Sequence, residues 1–197
     1  PATVGLIMLR QVIVSMLFER GEFTRQYTEM TAWALMFFTV GLIGHSILEI
    51  LSRAFYAFHD TKTPVKIGAI AMGLNIVFSI AFSYLFSKAG WLPLGGLALA
   101  NSTATMIEAA ILYILMHNRL QGIQGSHIGR GLLAAAIASL VMGFTLVLWI
   151  QLSGQMNLWL IGLGGMALGA LAYGLCLVIL RVPELRSMLG YLKKRLT

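Results

Sequence analysis

Apolar residues run in long blocks along this chain, separated by short polar stretches. Six blocks read as membrane-spanning helices, at about residues 3 to 18, 31 to 57, 65 to 87, 92 to 117, 131 to 150 and 157 to 180. A helix rising about 1.5 Å per residue needs roughly 20 residues to cross about 30 Å of hydrocarbon, and the blocks approach or exceed that length. From Gly131 to Leu180 there is no Asp, Glu, Lys or Arg, and QLSGQMN (151 to 157) is the only polar break, so this part reads as a hairpin of two spans. The first block is interrupted by Arg10. Pro1 suits a helix start, because a proline in the first turn loses no needed hydrogen bond. The expected fold class is all-α, a polytopic helical membrane protein with six transmembrane helices.

Composition agrees. Hydrophobic residues make up 58% of the 197 and charged residues only 11%, with a mean hydropathy of +0.84. Soluble domains carry roughly 25% charge. The net charge of +7 does not point to nucleic acid, since the basic residues lie between and after the spans and form no aromatic-interleaved patch. The single Cys176 lies inside an apolar run, which excludes a disulfide framework and reads as a packing residue. No phosphate-binding glycine loop, metal-ligand cluster or paired nucleophile and base is present, and the four His are scattered at 45, 59, 117 and 127. No catalytic residue, metal or cofactor is expected. The chain begins at Pro1 with no basic n-region and no cleavage site, so it reads as a piece of a longer protein and not as one led by a signal peptide.

Lys and Arg are distributed unevenly. The connections after spans two, four and six carry ten (Arg53, Lys62, Lys66, Arg119, Arg130, Arg181, Arg186, Lys193, Lys194 and Arg195), against three after the others (Arg20, Arg25 and Lys88). The positive-inside bias makes the ten-residue side cytoplasmic and puts both ends of the chain there, with LFERGEFT outside. The tail RVPELRSMLGYLKKRLT is short, basic and amphipathic, suited to lie on anionic lipid headgroups.

The densest polar stretch is RAFYAFHDTKTPVK (53 to 66). Its first part ends span two, HDTK turns the chain, and TP starts span three, with Thr63 expected as N-cap and Pro64 at the first helical position. Just before it, His45, Glu49 and Arg53 recur at i, i+4, i+8 and so lie along one face of span two. An ionisable residue at a helix centre costs about 2.5 to 3.5 kcal/mol, so this stripe should face protein or water and not lipid. Two readings stay open: Glu49 and Arg53 neutralise one another near the helix end, or the stripe lines a polar pathway. Arg10 in span one and Glu108 in span four also lie at membrane depth, and a salt bridge from Arg10 to Glu49 or Glu108 is a structural alternative. Asn75, Ser79 and Ser83 read as interhelical hydrogen-bonding residues. In GLGGMALGALAYG (162 to 174), Gly165 and Gly169 have the small-x-x-x-small spacing of closely packed helices; the alternative is a groove for an apolar tail.

LRQVIVSMLFERGEFT (9 to 24), followed after a span by RAFYAFHDTKTPVKI (53 to 67), resembles the MurJ/MviN lipid II flippase family of bacterial inner membranes. That family belongs to the multidrug/oligosaccharidyl-lipid/polysaccharide exporter superfamily. The resemblance covers the whole chain, whose six spans look like the last six of the family's fourteen. It implies an alternating-access transporter, not an enzyme, that carries lipid II from the cytoplasmic to the periplasmic leaflet. It also implies a missing N-terminal lobe as partner, holding the main pyrophosphate-binding arginines. On this basis residues 1–117 form four helices of the C-terminal lobe, 118–130 a cytoplasmic linker, 131–180 two extra helices grooved for the prenyl chain, and 181–197 a basic cytoplasmic tail. Arg53, Asp60, Thr63 and Pro64 match the family's cytoplasmic motif, and Arg10, His45, Glu49, Arg53 and Glu108 are the candidate substrate-pathway residues. The chain has Val12 where many relatives have proline. The competing functions are a polysaccharide-lipid or multidrug exporter of the same superfamily, and a membrane scaffold that transports nothing.

Overall fold

The computed structural model describes residues 1–120, 125–154 and 156–180. The basic tail expected at 181–197 lies outside the described residues. Among the described residues six helices follow in order: α1 (Ala2–Phe18), α2 (Arg25–Ala57), α3 (Lys62–Lys88), α4 (Pro93–Arg119), α5 (Gly125–Leu152) and α6 (Leu158–Ile179). Five are long and apolar enough to cross a membrane, and α1, with 17 residues, is shorter. The protein is therefore an all-α, multi-pass membrane protein. α1 is helical through Val12 without a break.

The helix ends fall close to the apolar blocks, with two extensions. α2 starts at Arg25, ahead of its block, because the polar turns of RQYTEM continue the helix; Arg25 and Glu29 pair there at 3.6 Å. α5 starts at Gly125, so helix takes in part of the stretch read as a linker. Hydropathy marks where a helix is greasy and not where its backbone bonds end.

The described chain divides into two compact units, one of residues 13–120 and the other of residues 3–12 together with α5 and α6. In the first, α4 lies between α2 and α3, which scarcely touch each other. Small residues allow the close approach: Gly41 of α2 abuts Ser102 of α4, and Gly96 of α4 presses on the α3 backbone at Phe82. At one end Trp33, Phe37, Phe86 and Trp91 pack edge to face. At the other, Leu51, Phe55, Leu112 and Met116 form a buried cluster joined by Ile67 of α3. Most of α3 faces outward with large apolar side chains such as Ile70, Met72, Ile76 and Ile80, the exterior expected of a helix in hydrocarbon.

In the second unit, α5 and α6 form the expected hairpin. Asn157 caps α6 by accepting from the Trp159 N–H, and the Trp149 indole N–H donates to the Ile161 carbonyl at 3.1 Å. Gly162, Gly165 and Gly169 are buried. Gly165 faces Leu9 and Trp149, and Gly169 faces Leu146 and Met142, so the glycine stripe is a packing face.

Candidate functional site

Polar groups from three helices converge in the first unit around an open pocket, where His45 is exposed. His45 of α2, Gly68 and Asn75 of α3, and Asn101, Thr105 and Glu108 of α4 line a cavity of about 230 Å³. The spacing on α4 is i, i+4, i+7, a single face, and that face turns toward α3. Asn75 Nδ2 donates to Asn101 Oδ1 at 3.4 Å, and the Ser79 hydroxyl donates to Asn75 Oδ1 at 3.2 Å. Asn75 therefore bonds across to α4 as expected, whereas Ser79 bonds to Asn75 within α3. Ser83 does neither: its hydroxyl is buried with no partner among the described residues, beside the backbone that Gly96 contacts.

Gly68 explains how Glu108 reaches the cavity. A Cβ at Gly68 would stand 3.1 Å from Glu108 Oε1, so the absent side chain gives the carboxylate room toward α3. Glu108 lies 15 residues from the start of α4 and 11 from its end, roughly 22 Å and 16 Å along the axis, close to mid-membrane if α4 spans it. His45 and Glu108 are the two ionisable residues of the lining.

The stripe on α2 splits. His45 lines the cavity, whereas Glu49 and Arg53 pair with each other at the surface, with side chains 66% and 76% exposed, and neither is part of the lining. Residues four apart on a helix drift by about 40°, so His45 and Arg53 differ by about 80° in direction. Arg10 belongs to the second unit, where it donates to the carbonyl of Ile7 at 2.7 Å.

The turn between α2 and α3 corrects two expectations. Thr63 is not the N-cap; α3 already begins at Lys62, and Thr63 is inside its first turn. The capping group is the Asp60 carboxylate, whose Oδ1 accepts from the Thr63 N–H at 3.1 Å and whose Oδ2 accepts from the Thr63 hydroxyl at 2.9 Å. A carboxylate is the stronger acceptor and suits the positive end of the helix dipole, so the threonine hydroxyl donates instead of capping. Pro64 is the third residue of α3 and not the first, buried in the same first turn, where its missing N–H still costs nothing. The Asp60 carboxyl is held below its ordinary range, first by the Thr63 N–H, then by the Thr63 hydroxyl, and further by Arg119.

Arg119 is the residue that sequence reasoning missed. It was legible only as one more basic residue, because its partner Asp60 is 59 positions away and no periodicity links them. Among the described residues no group of three or more His, Cys, Asp or Glu is arranged to hold a metal. What the cavity offers is hydrogen bonding and charge at membrane depth, in a helix bundle whose exterior is apolar.

The family model described as "Lipid II flippase MurJ" matches residues 1–164. The chain is 36% identical over 123 residues to a probable lipid II flippase MurJ of Vibrio cholerae, covering 62% of this chain and 22% of that protein. It is 28% identical over 189 residues to the Thermotoga maritima counterpart, covering 96% and 36%. Among solved structures, "Lipid II flippase MurJ, inward closed conformation" superposes with a TM-score of 0.74 at 28% identity, over 96% of this chain and 36% of that one. The chain thus spans between about a fifth and about a third of the length of the relatives it matches.

Proposed function

This chain belongs to the lipid II flippase MurJ family, and from that premise we propose that it is the C-terminal part of a transporter moving lipid II from the cytoplasmic to the periplasmic leaflet. The observation that carries the reading beyond the family is the polar cavity between α2, α3 and α4. A charged pyrophosphate-linked headgroup cannot cross hydrocarbon unaided, and a transporter must offer it hydrogen-bonding groups and water while its prenyl chain stays in lipid. The chain forms and breaks no bonds; it shifts between states open to either side.

In this reading His45 and Glu108, with Asn75, Asn101 and Thr105, make the C-terminal wall of a wet interior. Glu49 and Arg53 lie on the same helix toward the cytoplasm, with Arg53 placed to meet a headgroup on entry. Arg10 contributes a further charge at membrane depth, and the charge-free α5–α6 hairpin accommodates the prenyl chain. Residues 1–117 act as part of the C-terminal lobe and 131–180 as two added helices, joined by the cytoplasmic connection at 118–130. The excess of Lys and Arg on one side supports an orientation with both chain ends cytoplasmic and the basic tail on anionic lipids, in the bacterial inner membrane that the transport reading implies.

The test is labelling of lipid II on each membrane face after depletion of the full-length parent. Loss of outward-exposed lipid II supports the reading, and unchanged exposure refutes it. Complementation of a lipid II flippase depletion strain separates it from an exporter of polysaccharide-linked lipids or drugs.

A further inference from the structure

One carboxylate serves three donors where α2, α3 and α4 come together. Besides the two bonds from Thr63, Asp60 Oδ2 accepts from Arg119 Nη1 at 2.8 Å. Arg119 is the last residue of α4, and its guanidinium carbon stands 5.4 Å from the centre of the Phe58 ring. Between Phe58 and Asp60 lies His59, with a left-handed backbone at φ 58°. A non-glycine residue adopts that conformation where its surroundings over-determine it. Here the paired bonds from His59 N–H to the Tyr56 carbonyl (2.9 Å) and from Asp60 N–H to the Phe55 carbonyl (3.0 Å) close α2 in a Schellman arrangement. Beneath the turn, Phe55 and Leu51 of α2 meet Leu112 and Met116 of α4, with Ile67 of α3 alongside.

The cap of α3 does not require Arg119, because Asp60 alone satisfies Thr63. The ion pair is therefore an added tie between residues 59 apart. It differs from the Glu49–Arg53 pair, which links neighbours on one helix: the Asp60 side chain is only 23% exposed, and Arg119 also covers an aromatic face. Arg119 lies about three turns beyond Glu108 on the same helix, so any slip of α4 at this end is carried to the cavity.

We propose that Arg119 is a positioning residue that ties the end of α4 to the α2–α3 turn, so that the ends of α2, α3 and α4 move as one piece and Glu108 keeps its register against α3. The tie itself stands independently of the transport reading; its effect on transport rests on that reading.

The experiment uses the full-length parent on a background without native cysteines, spin-labelled at Ala57→Cys and Asn118→Cys, both exposed positions. The distance distribution is expected to be narrow, and to broaden in Arg119→Met and in Asp60→Asn, which keeps an acceptor for the Thr63 N–H. The double variant should be no broader than either single one, since each removes the same tie. Arg119→Lys, which restores charge without stacking, should recover most of the narrow distribution. Lipid II transport by Arg119→Met should fall roughly threefold to tenfold at unchanged membrane content, and Arg119→Lys should recover most of it. An unchanged distribution in Arg119→Met, or effects of the two single variants that add, overturns the proposal. A parent that shows the narrow and broadened distributions but moves no lipid II refutes the transport reading and leaves the tie standing.

Discussion

Ser102 occupies the space that a side chain on Gly41 would need. A Cβ at Gly41 would lie 2.6 Å from Ser102 Oγ and 2.9 Å from its Cα, and that hydroxyl is already committed to the Phe37 carbonyl of α2 at 2.7 Å. The two helices thus approach through a glycine and a serine that also bond across the interface, the combination expected where lipid supplies no hydrophobic drive for helix association. Gly41→Ala should destabilise the full-length parent by about 1 to 3 kcal/mol, read as a lower thermal midpoint in detergent. Adding Ser102→Ala should recover only part of the loss, because the Ser102 backbone remains in the way. A midpoint for Gly41→Ala equal to the native one would refute this contact.

Gly96 and Gly68 should respond differently to the same change. At Gly96 a Cβ would meet the Phe82 carbonyl oxygen at 2.7 Å, and backbone cannot step aside. At Gly68 it would meet Glu108 Oε1 at 3.1 Å, the far end of a flexible side chain. Gly96→Ala should therefore lower the thermal midpoint, while Gly68→Ala should leave it nearly unchanged and instead displace the Glu108 carboxylate. On the transport reading, Gly68→Ala lowers the lipid II transport rate at native stability. Equal thermal midpoints for the two variants would count against this distinction.

The contrast between these glycines marks how far the sequence alone reaches. The helices were legible because each apolar block is long and its polar breaks are short, and the extensions at Arg25 and Gly125 were hidden because polar helical turns look like loops to hydropathy. The i, i+4, i+8 spacing of His45, Glu49 and Arg53 suggested a single face of α2 and hid the drift that leaves His45 in the cavity lining and the other two out of it. Glu108 was visible as a charge at membrane depth. Its company of Asn75, Asn101 and Thr105, and the gap at Gly68 that admits it, depend on how α3 and α4 face each other. Local rules favoured Thr63 as the cap, because they rank short polar side chains without weighing an aspartate three residues earlier.

Acid should loosen the α2–α3 turn. The folded-state Asp60 carboxyl is depressed by the Thr63 N–H, the Thr63 hydroxyl and Arg119. Its contribution is therefore present above the ordinary carboxylate value of about 3.9 and disappears as pH falls through the depressed folded value. Thermal midpoints of the native parent and of Asp60→Asn should differ at neutral pH and converge below about pH 4. A difference that persists undiminished in acid would mean that the charge on Asp60 does not matter to the turn.

Exchanging the partners of the surface pair separates a scaffold from a pathway. Glu49 and Arg53 are both mostly exposed, and pairs of this kind contribute only about 0.3 to 0.5 kcal/mol on a helix. Glu49→Arg with Arg53→Glu keeps one charge of each sign four residues apart, so the thermal midpoint and the amount inserted should stay close to native, with a small penalty because Glu before Arg is the better order. If the charges only neutralise each other, transport survives the exchange. If Arg53 receives an anionic headgroup at the cytoplasmic end of α2, the exchange puts a carboxylate at the point of entry, and like-charge repulsion should slow lipid II transport by about tenfold or more. Lipid II translocation in proteoliposomes made with equal amounts of native and exchanged parent decides between them: equal rates remove Arg53 from the pathway, and a slow rate at native stability places it there.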